Sequence, residues 1–328
     1  MPKENMRFSW ATLGCGAIAG EMAQAMKRLG GTFCGVAGRR PEKARAFAAA
    51  YGIEKVYEAP DELFRDPDID IVYISTPHNT HAPYICRALA AGKHVLAEKS
   101  ITLNSDELSL AASLAAKKQL VLAEAMTLYH MPLFKKLAER VRSGALGALR
   151  LAQLNFGSYK PYDEKNRFFS KALAGGALLD IGIYALSCAR WFMSAKPEEL
   201  LSTVRFAPTG VDEQSSILLK NRAEEMAAVT LSLHAKQPKR ATIVFDKGYM
   251  EIFDYPRADK AAVVWTADGR REEITAGSAG DALCYEVLDM EAAAAGETDA
   301  MHLDYTSDVM EIMTRLRKSW GLKYPEEA

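Results

Sequence analysis

Residues 8–20 read FSWATLGCGAIAG, and this stretch decides the fold of the first half of the chain. An apolar, strand-like run (8–14) ends on Gly14, and a helical run (17–29) begins two residues after it and closes on Gly30-Gly31. Between them lies Gly14-Cys15-Gly16-Ala17-Ile18-Ala19, a G-x-G-x-x-A turn. Gly14 permits the tight turn and Gly16 lets the backbone approach a pyrophosphate. Ala17 and Ile18 open the helix whose N-terminus faces that anion, and Ala19 is small enough for close helix–strand packing. In isolation the same residues read equally well as a ligand-free glycine turn. The strand before, the helix after and the continuation of the pattern favour a dinucleotide site.

Outward from this turn, strands and helices alternate. TFCGVAG (32–38) is a strand, and PEKARAFAAAYG (41–52) is a helix with Pro at its first turn and Gly at its end. Asp61 is expected to cap a short helix. IDIVYIST (69–76) is a buried strand, 79–91 a helix and HVLAE (94–98) a strand. A helix follows over about 104–118, and LVLAEA (120–125) is a further strand. Such alternation implies a parallel sheet covered on both faces. After about residue 126 a helix near 131–143 precedes a strand (149–156), a polar loop and a helix over about 176–193. Alternating strands then dominate 199–275, and helices over about 281–296 and 303–319 close the chain. The fold class is therefore α/β plus α+β. A Rossmann doubly wound parallel sheet is expected over 1–126, and an open, mostly antiparallel sheet packed with helices over 127–328.

Length and composition agree with two domains: 328 residues, 49% apolar and 25% charged. Lys and Arg (41) nearly balance Asp and Glu (42), which argues against a nucleic-acid binder. No run approaches the ~18 uninterrupted apolar residues of a membrane span, and MPKENMRFSW lacks the apolar segment of a signal peptide. Five scattered cysteines without a C-x-x-C pair suit reduced thiols and a cytoplasmic location. Cofactor choice is read after the second strand, where Ala37-Gly38-Arg39-Arg40 carries no carboxylate for a ribose 2′-hydroxyl. Arg39 offers a planar fork for a 2′-phosphate and Arg40 adds charge, so NADP is expected, with NAD possible. Both arginines would look the same as solvated residues at a helix start.

Three further segments carry chemistry: STPHNTH (75–81) and AEKS (97–100), each after a parallel strand, and GGALLDIGIY (175–184). Asp180 and Tyr184 stand four apart, which on an α-helix places them on one face. His78 and His81 lack a convincing third ligand, so no metal is expected. Together with GCGAIA, these segments resemble the glucose–fructose oxidoreductase/inositol dehydrogenase (Gfo/Idh/MocA) family in order and spacing over essentially the whole chain. Tyr184 and VAGRRPEKARAFA are most similar to its dihydrodiol and NADP-dependent aldose dehydrogenase branch. The resemblance implies that Lys99 lies beside the nicotinamide and the reacting hydroxyl, that Asp180 orients the substrate and Lys99, and that Tyr184 is the general acid/base. It implies cofactor contacts from Thr76, Pro77, Asn79, His81, Glu98, Lys99 and Arg167. Ser100 stands where the family usually has proline, losing a φ restraint and gaining an N–H. The expected activity is hydride transfer between NADP and a carbinol of a sugar or a vicinal or cyclic diol, without metal. A dinucleotide-dependent glycosidase and a non-catalytic NADP-binding sensor are the alternatives. A polyol or sugar substrate and a homodimer or higher homo-oligomer complete the expectation.

Overall fold

A computed structural model describes residues 6–327. The chain forms two compact units, one of residues 1–125 with 280–303 and one of 126–279 with 304–328. In the first unit the order is β1 (Trp10–Leu13), α1 (Ala17–Arg28), β2 (Gly35–Ala37), α2 (Pro41–Tyr51), β3 (Lys55–Tyr57) and α3 (Pro60–Arg65). It continues with β4 (Ile71–Ile74), α4 (His81–Ala90), β5 (His94–Glu98), α5 (Ser105–Lys118) and β6 (Leu122–Ala125). The sheet runs β3-β2-β1-β4-β5-β6 and every pairing is parallel. The strand order reverses between β1 and β4, where ligands of doubly wound sheets bind. Strands β1 and β4 are fully buried, as their largely apolar sequences require.

Local signals set the helix ends. Pro41 opens α2, and Gly52 closes it at φ 73°. Asn104 caps α5 by accepting the Glu107 N–H at 2.9 Å. The expected cap Asp61 is instead in the first turn of α3, because Pro60 already occupies the first helical position and Ala59 the cap. Strand β3, three half-buried residues at the sheet edge, is too short to show a period in the sequence.

The second unit contains α6 (Thr127–His130), α7 (Pro132–Arg142), β7 (Leu149–Gly157), α8 (Ile183–Phe192) and seven strands. These are β8 (Pro197–Phe206), β9 (Asp212–Asn221), β10 (Met226–Ser232), β11 (Gln237–Phe245), β12 (Gly248–Phe253), β13 (Lys260–Trp265) and β14 (Arg271–Thr275). The eight-stranded sheet runs β14-β13-β12-β11-β7-β10-β9-β8. All its pairings are antiparallel except that of β7 with β10. Helix α8 packs on β7, β10 and β11, and α10 (Leu303–Trp320) also belongs to this unit.

The expected assignment of all of 127–328 to a second domain differs from these units in one segment. Helix α9 (Ala282–Ala294) returns to pack on α1. Leu283, Val287 and Met290 join the core that contains Trp10, Met22 and Phe33. The buried Glu291 carboxylate accepts the Trp10 indole N–H at 2.7 Å and the Arg7 amide at 2.8 Å. Among the described residues one stretch, Lys171–Phe192, is long and apolar enough to cross a membrane. Of its most apolar window 83% is buried within the protein. It is also broken into a 3-10 turn, a π turn and α8.

Candidate active site

The glycine turn lies at the carboxyl edge of the parallel sheet. Gly14 has φ +120° and donates its N–H to the Ala37 carbonyl at 2.9 Å. A Cβ there would lie 2.8 Å from the Ser75 carbonyl oxygen at the end of β4, so backbone geometry and close packing both require glycine. Gly16 is different. Its φ of −83° and ψ of −176° suit any residue, and a Cβ added there would meet nothing within 4 Å. Only a ligand would be excluded by a side chain at this position, so the turn fits a dinucleotide pyrophosphate. Ala17 is exposed beside it, while Ile18 is half-buried against the core.

Charged groups act on the cysteine within this turn. The Cys15 thiol is pushed up by burial, and the nearby charges of Lys43 and Arg40 pull it back. Arg39 and Arg40 are exposed at the junction of β2 and α2, and neither has a carboxylate partner among the described residues. Lys43 is an addition that the sequence did not mark, since a lysine in the first turns of a helix has no distinctive pattern.

The loops after β4 and β5 are tied together by histidine. The His81 ring, fully buried, has Nε2 at 2.7 Å from the Thr76 carbonyl and Nδ1 at 3.0 Å from the Ser100 carbonyl. His78 Nε2 lies 3.0 Å from the Lys99 carbonyl. Burial pushes the His81 pKa down, further lowered by the charge of Lys99, while the carbonyl contacts favour the charged ring. A neutral imidazole has one N–H, so it donates to one of its two carbonyls at a time. Thr76 is braced by the Thr80 hydroxyl at 2.8 Å; Asn79 is half-buried and Pro77 exposed. Glu98 accepts the Tyr73 hydroxyl and, at 3.3 Å, the Lys99 N–H. Lys99 is half-buried, Ser100 is fully buried, and the peptide joining them is cis. Beneath them the buried Glu124 of β6 accepts the Ile101 N–H at 2.9 Å.

In the second unit Asp180 sits in a π turn, Leu178–Gly182, that leads directly into α8, which carries Tyr184. The four-residue spacing therefore crosses a junction of two helical geometries, because the wider i→i+5 turn changes the angular step that α-helical spacing assumes. Asp180 is buried and Tyr184 half-buried. Arg167, exposed, reaches Asp180 at 3.3 Å and lies over the Phe168 ring at 4.4 Å. Exposure makes that ion pair a weak one. The start of the π turn is held by Asp212, whose Oδ2 accepts the Leu178 N–H at 2.7 Å. Asp212 and Glu124 carry no sequence signal, being polar residues within strand-like runs. Among the described residues no group of three or more His, Cys, Asp or Glu side chains could hold a metal ion.

A six-stranded parallel sheet with an open glycine turn at its point of strand reversal defines a dinucleotide-binding protein of the Rossmann class. The description "Oxidoreductase family, NAD-binding Rossmann fold" matches residues 8–126, and "GFO/IDH/MocA C-terminal domain" matches 134–251. The chain belongs to the GFO/IDH/MocA oxidoreductase family and is an NAD(P)-dependent dehydrogenase or reductase. Among its relatives, trans-1,2-dihydrobenzene-1,2-diol dehydrogenase of Sus scrofa is 29% identical over 338 residues, covering 98% of this chain and 99% of its own. That of Oryctolagus cuniculus is 33% identical over 243 residues, 73% of each chain. Aldose-aldose oxidoreductase from Caulobacter crescentus shares the fold with a TM-score of 0.84 at 23% identity, over 96% of this chain and 97% of its own. A 3-ketoreductase from Actinomadura kijaniata, in complex with NADP and TDP-benzene, shares it with a TM-score of 0.83 at 24% identity, over 95% and 97%.

Proposed function

We propose that this enzyme is an NADP-dependent oxidoreductase that interconverts a carbinol and a carbonyl on a sugar or a vicinal or cyclic diol. The observation that carries the cofactor choice is the exposed Arg39-Arg40 pair after β2, with no carboxylate partner among the described residues and no Asp or Glu in its place. Relatives named for a cyclic diol, and the resemblance carried by GGALLDIGIY, support the substrate class. A bound nicotinamide would supply the hydride chemistry, as acceptor for oxidation of the carbinol and donor for reduction of the carbonyl. Tyr184 takes the hydroxyl proton in oxidation and gives it back in reduction. Lys99 supplies positive charge that stabilises the developing alkoxide and the phenolate, and Asp180 orients the substrate hydroxyls. These roles use no metal ion. Gly14, Gly16, Ala17 and Ile18 hold the pyrophosphate end, and Thr76, Pro77, Asn79 and Glu98 the nicotinamide-ribose end. His81 acts there by fixing the Thr76 and Ser100 carbonyls. Arg167 adds charge beside Asp180.

Residues 1–126 supply the cofactor domain in this reading, and 127–328 the substrate and assembly domain apart from the returning α9. Leu201 and Leu218, register partners on β8 and β9, are exposed along with Met226 and Phe253, which suits a homodimer or higher homo-oligomer. Light scattering that finds only monomer overturns the oligomer. Five free thiols suit a cytoplasmic setting. The deciding experiment is NADP(H) titration followed by a 340 nm screen of aldoses, inositols and diols. Tyr184→Phe and Lys99→Ala should each lower kcat by about 100-fold or more. Turnover near the wild-type rate in both variants removes these residues from the mechanism. Copurified oxidised cofactor without net change at 340 nm would instead indicate transient oxidation by a glycosidase.

A further inference from the structure

The segment carrying Asp180 and Tyr184 begins at Gly175-Gly176, and two side chains from distant parts of the chain converge on it. Asp212, the first residue of β9, is fully buried and gives Oδ2 to the Leu178 N–H at 2.7 Å. The Ala177 N–H also favours its carboxylate. Gly176 has φ +129°, and a Cβ there would collide with Asp212 Oδ1, so glycine is what admits the carboxylate this closely. That second oxygen has no hydrogen-bond partner although it is buried. Tyr324, near the chain end, donates its hydroxyl to the Gly175 carbonyl at 2.7 Å and is itself fully buried. Arg317 of α10 anchors that terminal stretch by forking onto Glu327 at 2.6 and 2.8 Å, and Glu327 also accepts the Tyr324 N–H at 3.0 Å.

The first amides of a helical segment need acceptors, usually from the residue just before it. The local sequence offers only glycine and alanine there, so the acceptor comes from β9. We propose that Asp212, with Tyr324 behind it, is a positioning residue that fixes the π turn bearing Asp180 and the start of the helix bearing Tyr184. It touches neither substrate nor cofactor in this role; it acts through the Leu178 amide. The kinetic part of the proposal rests on the assignment of Asp180 and Tyr184 to the reaction.

Amide hydrogen exchange and kinetics on the full chain test it. Asp212→Ala should speed exchange across 177–183 by about tenfold, as expected for loss of a helix cap, while the parallel sheet stays protected. The same variant should lose about tenfold or more in kcat with the NADPH Kd, read by cofactor fluorescence, within about twofold of wild type. Asp212→Asn keeps a carbonyl acceptor for Leu178 and should restore both readouts to within about threefold. Wild-type exchange over 177–183 in the Ala variant overturns the proposal, and so does equal loss of kcat in the Ala and Asn variants. Should Asp212→Ala fail to fold, Tyr324→Phe releases only the Gly175 carbonyl and must raise exchange in the same segment; unchanged exchange there also overturns it. A wild-type protein that turns over no tested carbinol defeats the proposed reaction, while the exchange result still decides the positioning.

Discussion

Replacing Gly16 by alanine should weaken cofactor binding and leave the fold intact, whereas the same change at Gly14 should damage the fold. At Gly16 the backbone is extended, with φ −83° and ψ −176°, and an added methyl meets no protein atom within 4 Å. Alanine there gains about 0.4–1 kcal/mol from a stiffer unfolded chain. It loses a comparable amount because Gly16 is the cap of α1, where alanine is disfavoured. The net change is within about 1 kcal/mol, a Tm shift of no more than about 4 °C. The methyl instead enters the space a pyrophosphate needs, and overpacking of that size costs about 1–3 kcal/mol. NADPH affinity should therefore fall about 5- to 150-fold. At Gly14 the positive φ of +120° costs an alanine about 1–3 kcal/mol. Crowding against the Ser75 carbonyl, 2.8 Å away, adds about 1–3 kcal/mol more. Fluorescence titration of NADPH and thermal unfolding of both variants separate these effects. A Gly16→Ala protein that binds NADPH within twofold of wild type refutes the placement of the cofactor on this turn.

Arg39→Ala should weaken NADPH by about 10- to 100-fold, the loss of one charge-assisted contact. NADH should be unchanged, and equal losses for both cofactors would reject the 2′-phosphate assignment. Burial pushes Asp212 up to about 7, against partial relief from its backbone hydrogen bonds and the charge of Arg317. The unfolded carboxyl titrates near 3.9, so between these values the native state keeps a proton that the unfolded state has lost. The stability this group contributes is full below about pH 4 and is lost as pH rises to about 7, at most ~1.4 kcal/mol per pH unit. Asp212→Asn removes the effect. Its urea-unfolding free energy should gain about 2 kcal/mol on wild type between about pH 5.5 and 8, and a pH-independent difference contradicts the raised value. Trp10→Phe deprives the buried Glu291 carboxylate of a donor at 2.7 Å, costing about 1–3 kcal/mol. A Tm within 1 °C of wild type would show that this contact does not hold α9 to β1.

The two sheets were legible in the sequence because each is built from local regularities. Continuous apolar runs such as Ile71–Ile74 and glycine ends such as Gly52 mark parallel strands and their helices. Polar alternation in 199–275 marks the other sheet. The glycine turn was legible for the same reason, since strand, turn and helix are contiguous. The destination of α9 was not, because Glu291 meets Trp10 across 281 residues of sequence. The metal-like pair His78 and His81 is spent on the carbonyls of Lys99, Ser100 and Thr76, a use that residue type and spacing do not reveal.

By itself the sequence determined the parallel Rossmann sheet, the position of its glycine turn and the absence of a carboxylate after the second strand. Side-chain periodicity and backbone permissiveness act over a few residues, so each of these is written where it is read. Only the tertiary structure decided that Gly14 answers to Ser75 while Gly16 answers to no protein atom. It alone shows that Asp180 rides a π turn capped from β9. These depend on which distant groups meet once apolar surfaces are buried, and a buried amide or carboxylate takes its partner from whatever the fold brings within hydrogen-bonding distance.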